Sequence, residues 1–248
     1  MCAQFSPEEE TLFEKIGAGV LKRVRKTRNP SDLLSVIGSA HKEFDRAFAS
    51  APAVARAMVA CRAGCDACCH VPVGVQAHEV LIAAHYVQTH FSPSDLDALI
   101  ARAAAHRETV AGRSNFDRTA LKTPCVLLRE GNCSIYEARP EACRSHHGNN
   151  AEACRTNLES GREDIDVYIL GVRGRMFAVM LAIDQAVAEA GFDGQAYDFG
   201  SALHEALTNS LCVVRWIQRQ PAFTESCREA PEMDDGDSGV MHAEGYFQ

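Results

Sequence analysis

Apolar residues recur at helical spacing through most of the chain. Ser6-Pro7-Glu8-Glu9 offers an N-cap, a proline for the first helical position and an acid placed for a capping box. Leu12, Phe13, Ile16, Val20 and Val24 then share one helical face. Asn29-Pro30-Ser31-Asp32 stops that helix and caps a second, with Leu33, Leu34, Ile37, Ala40 and Phe44 on one side. Val80, Leu81, Ala84 and Val87 predict a helix between Val75 and Val87, and Ser92-Pro93-Ser94-Asp95 opens another through Leu96, Leu99, Ile100 and Ala103. Ile165 to Ala190 is apolar on most sides, as a buried helix should be, with Gly191 placed to end it and Gly171 and Gly174 weakening its first half. Leu203, Leu207, Leu211, Val214 and Ile217 form a last stripe, stopped by Pro221.

Only one stretch reads as strand. Residues 125–128 and 133–136 flank Glu130-Gly131-Asn132, a turn signal for a hairpin. Strands and helices do not alternate, nothing repeats, and Gly17-Ala18-Gly19 lacks the third glycine and preceding strand of a phosphate loop. The predicted fold is mainly α: a helical domain with an inserted cysteine-rich metal-binding region containing a short β-hairpin. N-terminal helices occupy 1–57, the cysteine region 58–160 with helices over 75–110, and C-terminal helices 161–222 pack on the same core. An acidic segment, 223–248, is expected to be disordered.

Composition narrows the function. The chain has 248 residues, 46% hydrophobic and 23% charged, enough to bury a core without disulfide staples. Charges interrupt every apolar run well before the ~18 residues of a membrane span. The net charge of -8 is concentrated in Glu229, Glu232, Asp234, Asp235, Asp237 and Glu244, with no Lys or Arg after Arg228. No broad basic footprint for nucleic acid remains; Lys22, Arg23, Arg25, Lys26 and Arg28 read as a solvated helix face. Met1-Cys2-Ala3-Gln4-Phe5 runs into three glutamates without an apolar stretch, so no signal peptide and a cytoplasmic location are expected.

Eleven cysteines change the picture, eight of them between Cys61 and Cys154. In a reducing compartment, clustered cysteines point to metal or redox chemistry rather than disulfides. Cys61, Cys65, Cys68 and Cys69 are spaced C-x3-C-x2-C-C; Cys125, Cys133, Cys143 and Cys154 follow at wider intervals. Thiolates are the soft ligands of zinc and iron–sulfur clusters, and Gly64 lets the backbone fold tightly around an ion. Side chains of adjacent residues diverge, so Cys68 and Cys69 suit two sites sharing a wall, or a polynuclear centre. Cys2, Cys212 and Cys227 read as ordinary free cysteines.

These residues resemble a known family. Cys61-x3-Cys65-x2-Cys68-Cys69, then Pro124-Cys125, then Cys133-Ser134-Ile135-Tyr136-Glu137-Ala138-Arg139-Pro140-x2-Cys143-Arg144 is similar to the YkgJ-type cysteine-cluster family, whose CxxCxxCC domain is named for zinc or iron chelation. The sequence departs from it at Val126-Leu127 and at Ser145-His146-His147. The resemblance implies metal binding, carries seven of the cysteines over directly, with Cys154 completing eight, and includes iron–sulfur oxidoreductases and a cluster related to that of the flagellin lysine methylase.

Two readings of function therefore stand: a binding protein held by closed zinc sites, and an iron or iron–sulfur enzyme. Arg139 and Arg144 could stabilise thiolate charge or pair with Glu137 and Glu141. His70, His146 and His147 lie beside cysteines as neighbours or as ligands, the first being preferred. His78, His85, His90 and His106 read as satisfied surface or core residues. His78-Glu79 and His204-Glu205 lack the second histidine of a metalloprotease motif. Cys61, Cys65 and Cys68 match radical S-adenosylmethionine spacing, but Ala67 stands where an aromatic residue is usual and no β/α barrel is predicted. The partner expected is an undefined protein or small molecule.

Overall fold

The structure, a computed structural model, describes residues 5–161 and 167–226. It is mainly α. Helix α1 (Pro7–Val24) starts as the capping box requires, with the Ser6 side chain accepting from the Glu9 N–H and the Glu9 carboxylate from the Ser6 N–H. Helices α2 (Pro30–Ala40) and α3 (Lys42–Ser50) follow, broken at His41, where one continuous face from Leu33 to Phe44 was expected. A short α4 (Ala53–Ala57) leads into the cysteine loop. Helix α5 (Ala77–His90) and α6 (Pro93–Val110) form a pair, α6 capped by Ser92 on the Asp95 N–H.

The long C-terminal helix α10 (Leu170–Glu189) is the centre of the molecule. α1 lies along it in the most extensive helix pairing, with α3, α4 and α8 (Glu141–Ser145) on other sides. The two helices approach closely at Gly17, where a Cβ would lie in contact, 3.6 Å from the Ala182 carbonyl oxygen. Ile16, Val20 and Val24 of α1 meet Val179, Ala182 and Ile183 of α10 in one core with Leu33, Ile37 and Phe44. Each buried Leu, Ile, Val or Phe side chain contributes roughly 1.5–3 kcal/mol.

Several boundaries differ from the sequence expectation. α10 begins at Leu170 rather than Ile165; residues 162–166 lie outside the described residues, and 167–169 are extended because Asn149 N–H donates to the Val167 carbonyl and Gly148 bridges to Tyr168. Val75 is not helical. It belongs to strand β1 (Gly74–Gln76), paired antiparallel with β4 (Ala196–Asp198), a second small sheet that the sequence reading lacked. The expected hairpin is present and tighter, with β2 (Leu128–Arg129) and β3 (Asn132–Cys133) joined by Glu130 and Gly131 alone, both at positive φ. The stripe from Leu203 to Ile217 breaks at Asn209 into α11 (Phe199–Thr208) and α12 (Leu211–Ile217). α12 buries Cys212 and Trp216 and leaves Leu211 and Val214 exposed.

Short α7 (Asn115–Leu121) and α9 (Ala151–Ser160) complete the set. Residues 223–226, at the start of the segment expected to be disordered, are packed. Phe223 is fully buried, and the Glu205 carboxylate accepts from Thr224 N, Glu225 N and Ser226 Oγ. Residues 227–248, with the acidic cluster and Cys227, lie outside the described residues, as does Cys2. No described helix is long and apolar enough to cross a membrane.

Candidate metal centre

The eight candidate cysteines sit on loops, turns and helix ends, where backbone geometry is free to bend. Gly64, at φ 81°, turns the chain between Cys61 and Cys65. A 3-10 turn, Ala67–His70, then carries Cys68 and Cys69, and its start is fixed by Cys69 N–H donating to the Asp66 carbonyl at 2.8 Å. The second group is tied to the first through the backbone. Cys125 N–H donates to the Cys69 carbonyl at 2.7 Å, Gly64 N–H to Asn132 Oδ1 at 3.1 Å, and Gly131 packs against Gly64. The hairpin tip that carries Cys133 therefore rests on the loop that carries Cys65. Two left-handed residues suit a two-residue turn between twisted strands, which explains Gly131; Glu130 adopts φ 50° without that freedom.

Cys61 and Cys154 meet at Gly148. Its N–H donates to Cys61 Sγ at 3.2 Å, and its carbonyl accepts from Ala60 N–H at 2.8 Å. A Cβ on Gly148 would lie 3.0 Å from Cys154 Sγ and 4.0 Å from Cys61 Sγ. A side chain there would crowd Cys154 Sγ and touch Cys61 Sγ, which already receives the Gly148 N–H. That cradle fits a thiolate-bound metal.

The sulfurs fall into two neighbourhoods that share Cys68. Burial raises the thiol of Cys154, and the charges of Cys61, Cys65 and Cys68 add to it. Burial likewise raises Cys143, reinforced by Cys125, Cys68 and Cys133. Cys125 is pushed up to about 11, mainly by burial. For Cys68 the leading cause is its hydrogen bond with Cys69, then burial. Without a cation such a set holds its protons; a bound metal replaces them. None of the nine described cysteines is disulfide-bonded. Arg139 draws the thiols of Cys61, Cys68 and Cys133 downward while stacking 3.9 Å over the Tyr136 ring. Arg144 donates to the carbonyl oxygens of Arg139 and Glu137, not to the Glu137 or Glu141 carboxylate. His70 faces the Asp66 carbonyl, His146 the Tyr168 ring edge, and His147 stacks on Phe48.

The sequence reading missed a second cluster, inside the helical core. His41 Nε2 and His78 Nε2 lie 2.9 Å and 3.0 Å from the same oxygen, Glu141 Oε1, with Asp184 Oδ1 3.8 Å from His78 Nε2. Burial opposes charge on Glu141, but the hydrogen bonds of His41 and His78 overcome it and hold the carboxyl at about 2. Burial also opposes charge on His78, yet Glu141 lifts it to about 9. Asp184 is raised by burial and then by Glu141. Among the described residues, the sets of three donor atoms within 4.8 Å of one another are His41–His78–Glu141 and His78–Glu79–Asp184; the cysteine sulfurs are spread more widely. His41, His78, Glu141 and Asp184 come from four separate places in the chain, so no local spacing could have signalled the cluster.

Eight thiols presented by loops, turns and short helices on a helical scaffold define a cysteine-rich region. A family model described as "Putative zinc- or iron-chelating domain", CxxCxxCC, matches residues 60–160. The match covers about two fifths of the chain, and the family is the one that the cysteine motifs resemble. Comparison with curated proteins and with solved structures gives no match.

Proposed function

We propose that the protein binds zinc or iron through Cys61, Cys65, Cys68, Cys69, Cys125, Cys133, Cys143 and Cys154. The observation that supports this best is the cradle at Gly148, where a side chain would press on Cys154 Sγ and touch Cys61 Sγ. Cys61, Cys65 and Cys154 would hold one side of the centre and Cys125, Cys133 and Cys143 the other, with adjacent Cys68 and Cys69 between them. Thiolate ligation would supply folding energy to a loop region poor in regular structure. Arg139 would offset part of the negative charge of the thiolates.

Because Cys68 belongs to both neighbourhoods, a polynuclear or iron–sulfur centre is the second reading, and with it an oxidoreductase or modification role. Metal and acid-labile sulfide content, with an absorption spectrum, distinguishes the two in protein purified anaerobically without a metal-affinity column. One or two zinc ions in colourless protein would favour closed structural sites and a binding role in the cytoplasm. Iron in brown protein would favour the second reading. Folded protein with neither metal would end both.

A further inference from the structure

The cluster of His41, His78, Glu141 and Asp184 is built at high cost. Placing ionisable groups out of water costs several kcal/mol each, and apolar residues of similar volume usually serve a core as well. Here a buried histidine pair and a buried carboxylate sit between α5, α8 and α10, with His78 and Glu141 0% and 1% exposed. The network is also incomplete: Glu141 Oε2 and Asp184 Oδ1 are buried oxygens with no hydrogen-bond donor. Buried acceptors are nearly always satisfied, and anionic ones most of all.

Glu79 shows what a purely structural carboxylate looks like in the same place. Its two oxygens accept from the N–H groups of Gln76 and Glu141, at 2.6 Å and 2.7 Å. It joins the start of α5 to the start of α8, and each of its oxygens has a backbone partner. Its neighbours are different. Two imidazole nitrogens aim at one carboxylate oxygen, at separations of 2.9 Å and 3.0 Å. Adjacent ligands on an octahedral ion with bonds of about 2.1 Å stand about 3 Å apart. Two histidines and one carboxylate form the donor set that nitrogen- and oxygen-preferring divalent ions take. Asp184, with 21% of its side chain exposed, marks the side from which an ion could enter.

We propose that His41, His78 and Glu141, with Asp184 at the solvent edge, form a second metal site for a divalent first-row ion of the iron(II), manganese(II) or zinc class. It is separate from the sulfur centre in chemistry and close to it in space, since α8 carries both Glu141 and Cys143. Glu79 is a positioning residue that fixes the N-terminus of α8. The proposal stands on this cluster alone and does not depend on what the cysteines hold.

Cobalt(II) tests it, because thiolate ligation gives an intense near-ultraviolet charge-transfer band and nitrogen–oxygen ligation only weak visible bands. The full chain, stripped of metal under anaerobic conditions, is titrated with cobalt. The expected result is one equivalent per chain that binds without charge-transfer intensity. Glu141→Gln and His41→Gln should weaken that equivalent at least ten-fold, and Asp184→Asn less, with circular dichroism confirming the folded state. Cys65→Ser should reduce the charge-transfer band and leave the equivalent in place. If all cobalt bound by the wild type is accounted for by thiolate charge transfer, the proposal fails, whether or not the variants fold. It fails equally if the nitrogen–oxygen equivalent persists in folded Glu141→Gln and His41→Gln.

Discussion

The sulfur cluster and the histidine–carboxylate cluster meet on one short helix and are built in opposite ways. The eight thiols sit on loops, turns and short helices, partly exposed for the most part, and no three of their sulfurs lie within 4.8 Å of one another as the donor atoms of His41, His78 and Glu141 do. The second cluster is buried apart from its Asp184 edge, and it is held by packed helices. A loop-borne site gains its final geometry from the ion, and binding energy then becomes folding energy. A core-borne site has its geometry fixed by packing before any ion arrives, and the scaffold bears the cost of desolvation in the metal-free state.

The largest expected effect follows from that difference. Removing metal with a chelator should abolish hydrogen-exchange protection across residues 60–70 and 125–154, while α1 and α10 stay protected. Apparent binding free energies of structural zinc are about 10–16 kcal/mol, so the loops have much to lose and the α1–α10 core little. Uniform loss of protection through both regions would show that the sulfur centre supports the whole fold, and the distinction drawn here would collapse.

Next comes a crossing of two variants. In the metal-free protein, Glu141→Ala leaves two buried histidines without their partner and should cost about 3–5 kcal/mol. Cys133→Ser in the same state should cost about 1 kcal/mol or less, since its thiol has no ion to hold. With metal restored the order should change, Cys133→Ser losing most of the metal-dependent stabilisation. Denaturant melts of both variants in both states check this, and an unchanged order would mean that the thiol cluster is as preorganised as the core.

How much of this was legible in the sequence depended on whether the signal was local. The Ser6–Glu9 capping box and the Gly131 turn lie within a few residues, and the structure has both; the C-x3-C-x2-C-C spacing is equally local and marked where to look. Strands β1 and β4 are three residues each and pair Val75 with Tyr197, a partnership that no window could detect. The break at Asn209 was hidden because Leu211 and Val214 keep helical spacing with Leu203 and Leu207 while facing solvent. His78 read as a satisfied surface or core histidine, and the structure buries it. Only the fold brings His41, Glu141 and Asp184 to it. Short α8 carried no periodicity at all, though it links both clusters.

Gly148→Ala should have a smaller and more confined effect. Its methyl group would press on Cys154 Sγ at 3.0 Å, and the backbone around it is pinned to Ala60 and to Tyr168. Metal affinity of the sulfur centre should fall about ten-fold, equivalent to 1.4 kcal/mol, with helical content unchanged. Competition with a chromophoric chelator measures it. Full affinity in the variant would show that Cys154 moves freely and lies outside the ligand set.

The smallest effect concerns a buried carboxylate that needs no ion. Asp198 caps α11 through Ser201 N–H at 2.9 Å, pairs with His106 Nε2 at 2.9 Å, and stands 3.4 Å from the Arg118 guanidinium. Burial would raise its pKa, but the hydrogen bond from His106 and the cap outweigh burial and hold it below the ordinary 3.8. A folded-state pKa lower than the unfolded one gives stability that is present above the unfolded pKa and lost as pH falls through the folded value. Asp198→Asn should therefore cost about 1–2 kcal/mol at neutral pH, in the range of a lost helix cap. The gap between wild type and variant should narrow below about pH 4. The measurement is thermal melting of both proteins from pH 7 to pH 3, with and without added divalent metal. Metal should leave this gap unchanged, because every oxygen of Asp198 already has a partner, whereas Glu141 Oε2 has none. A metal-dependent gap at Asp198 would mean that unpartnered oxygens do not distinguish ion sites from structural carboxylates in this protein.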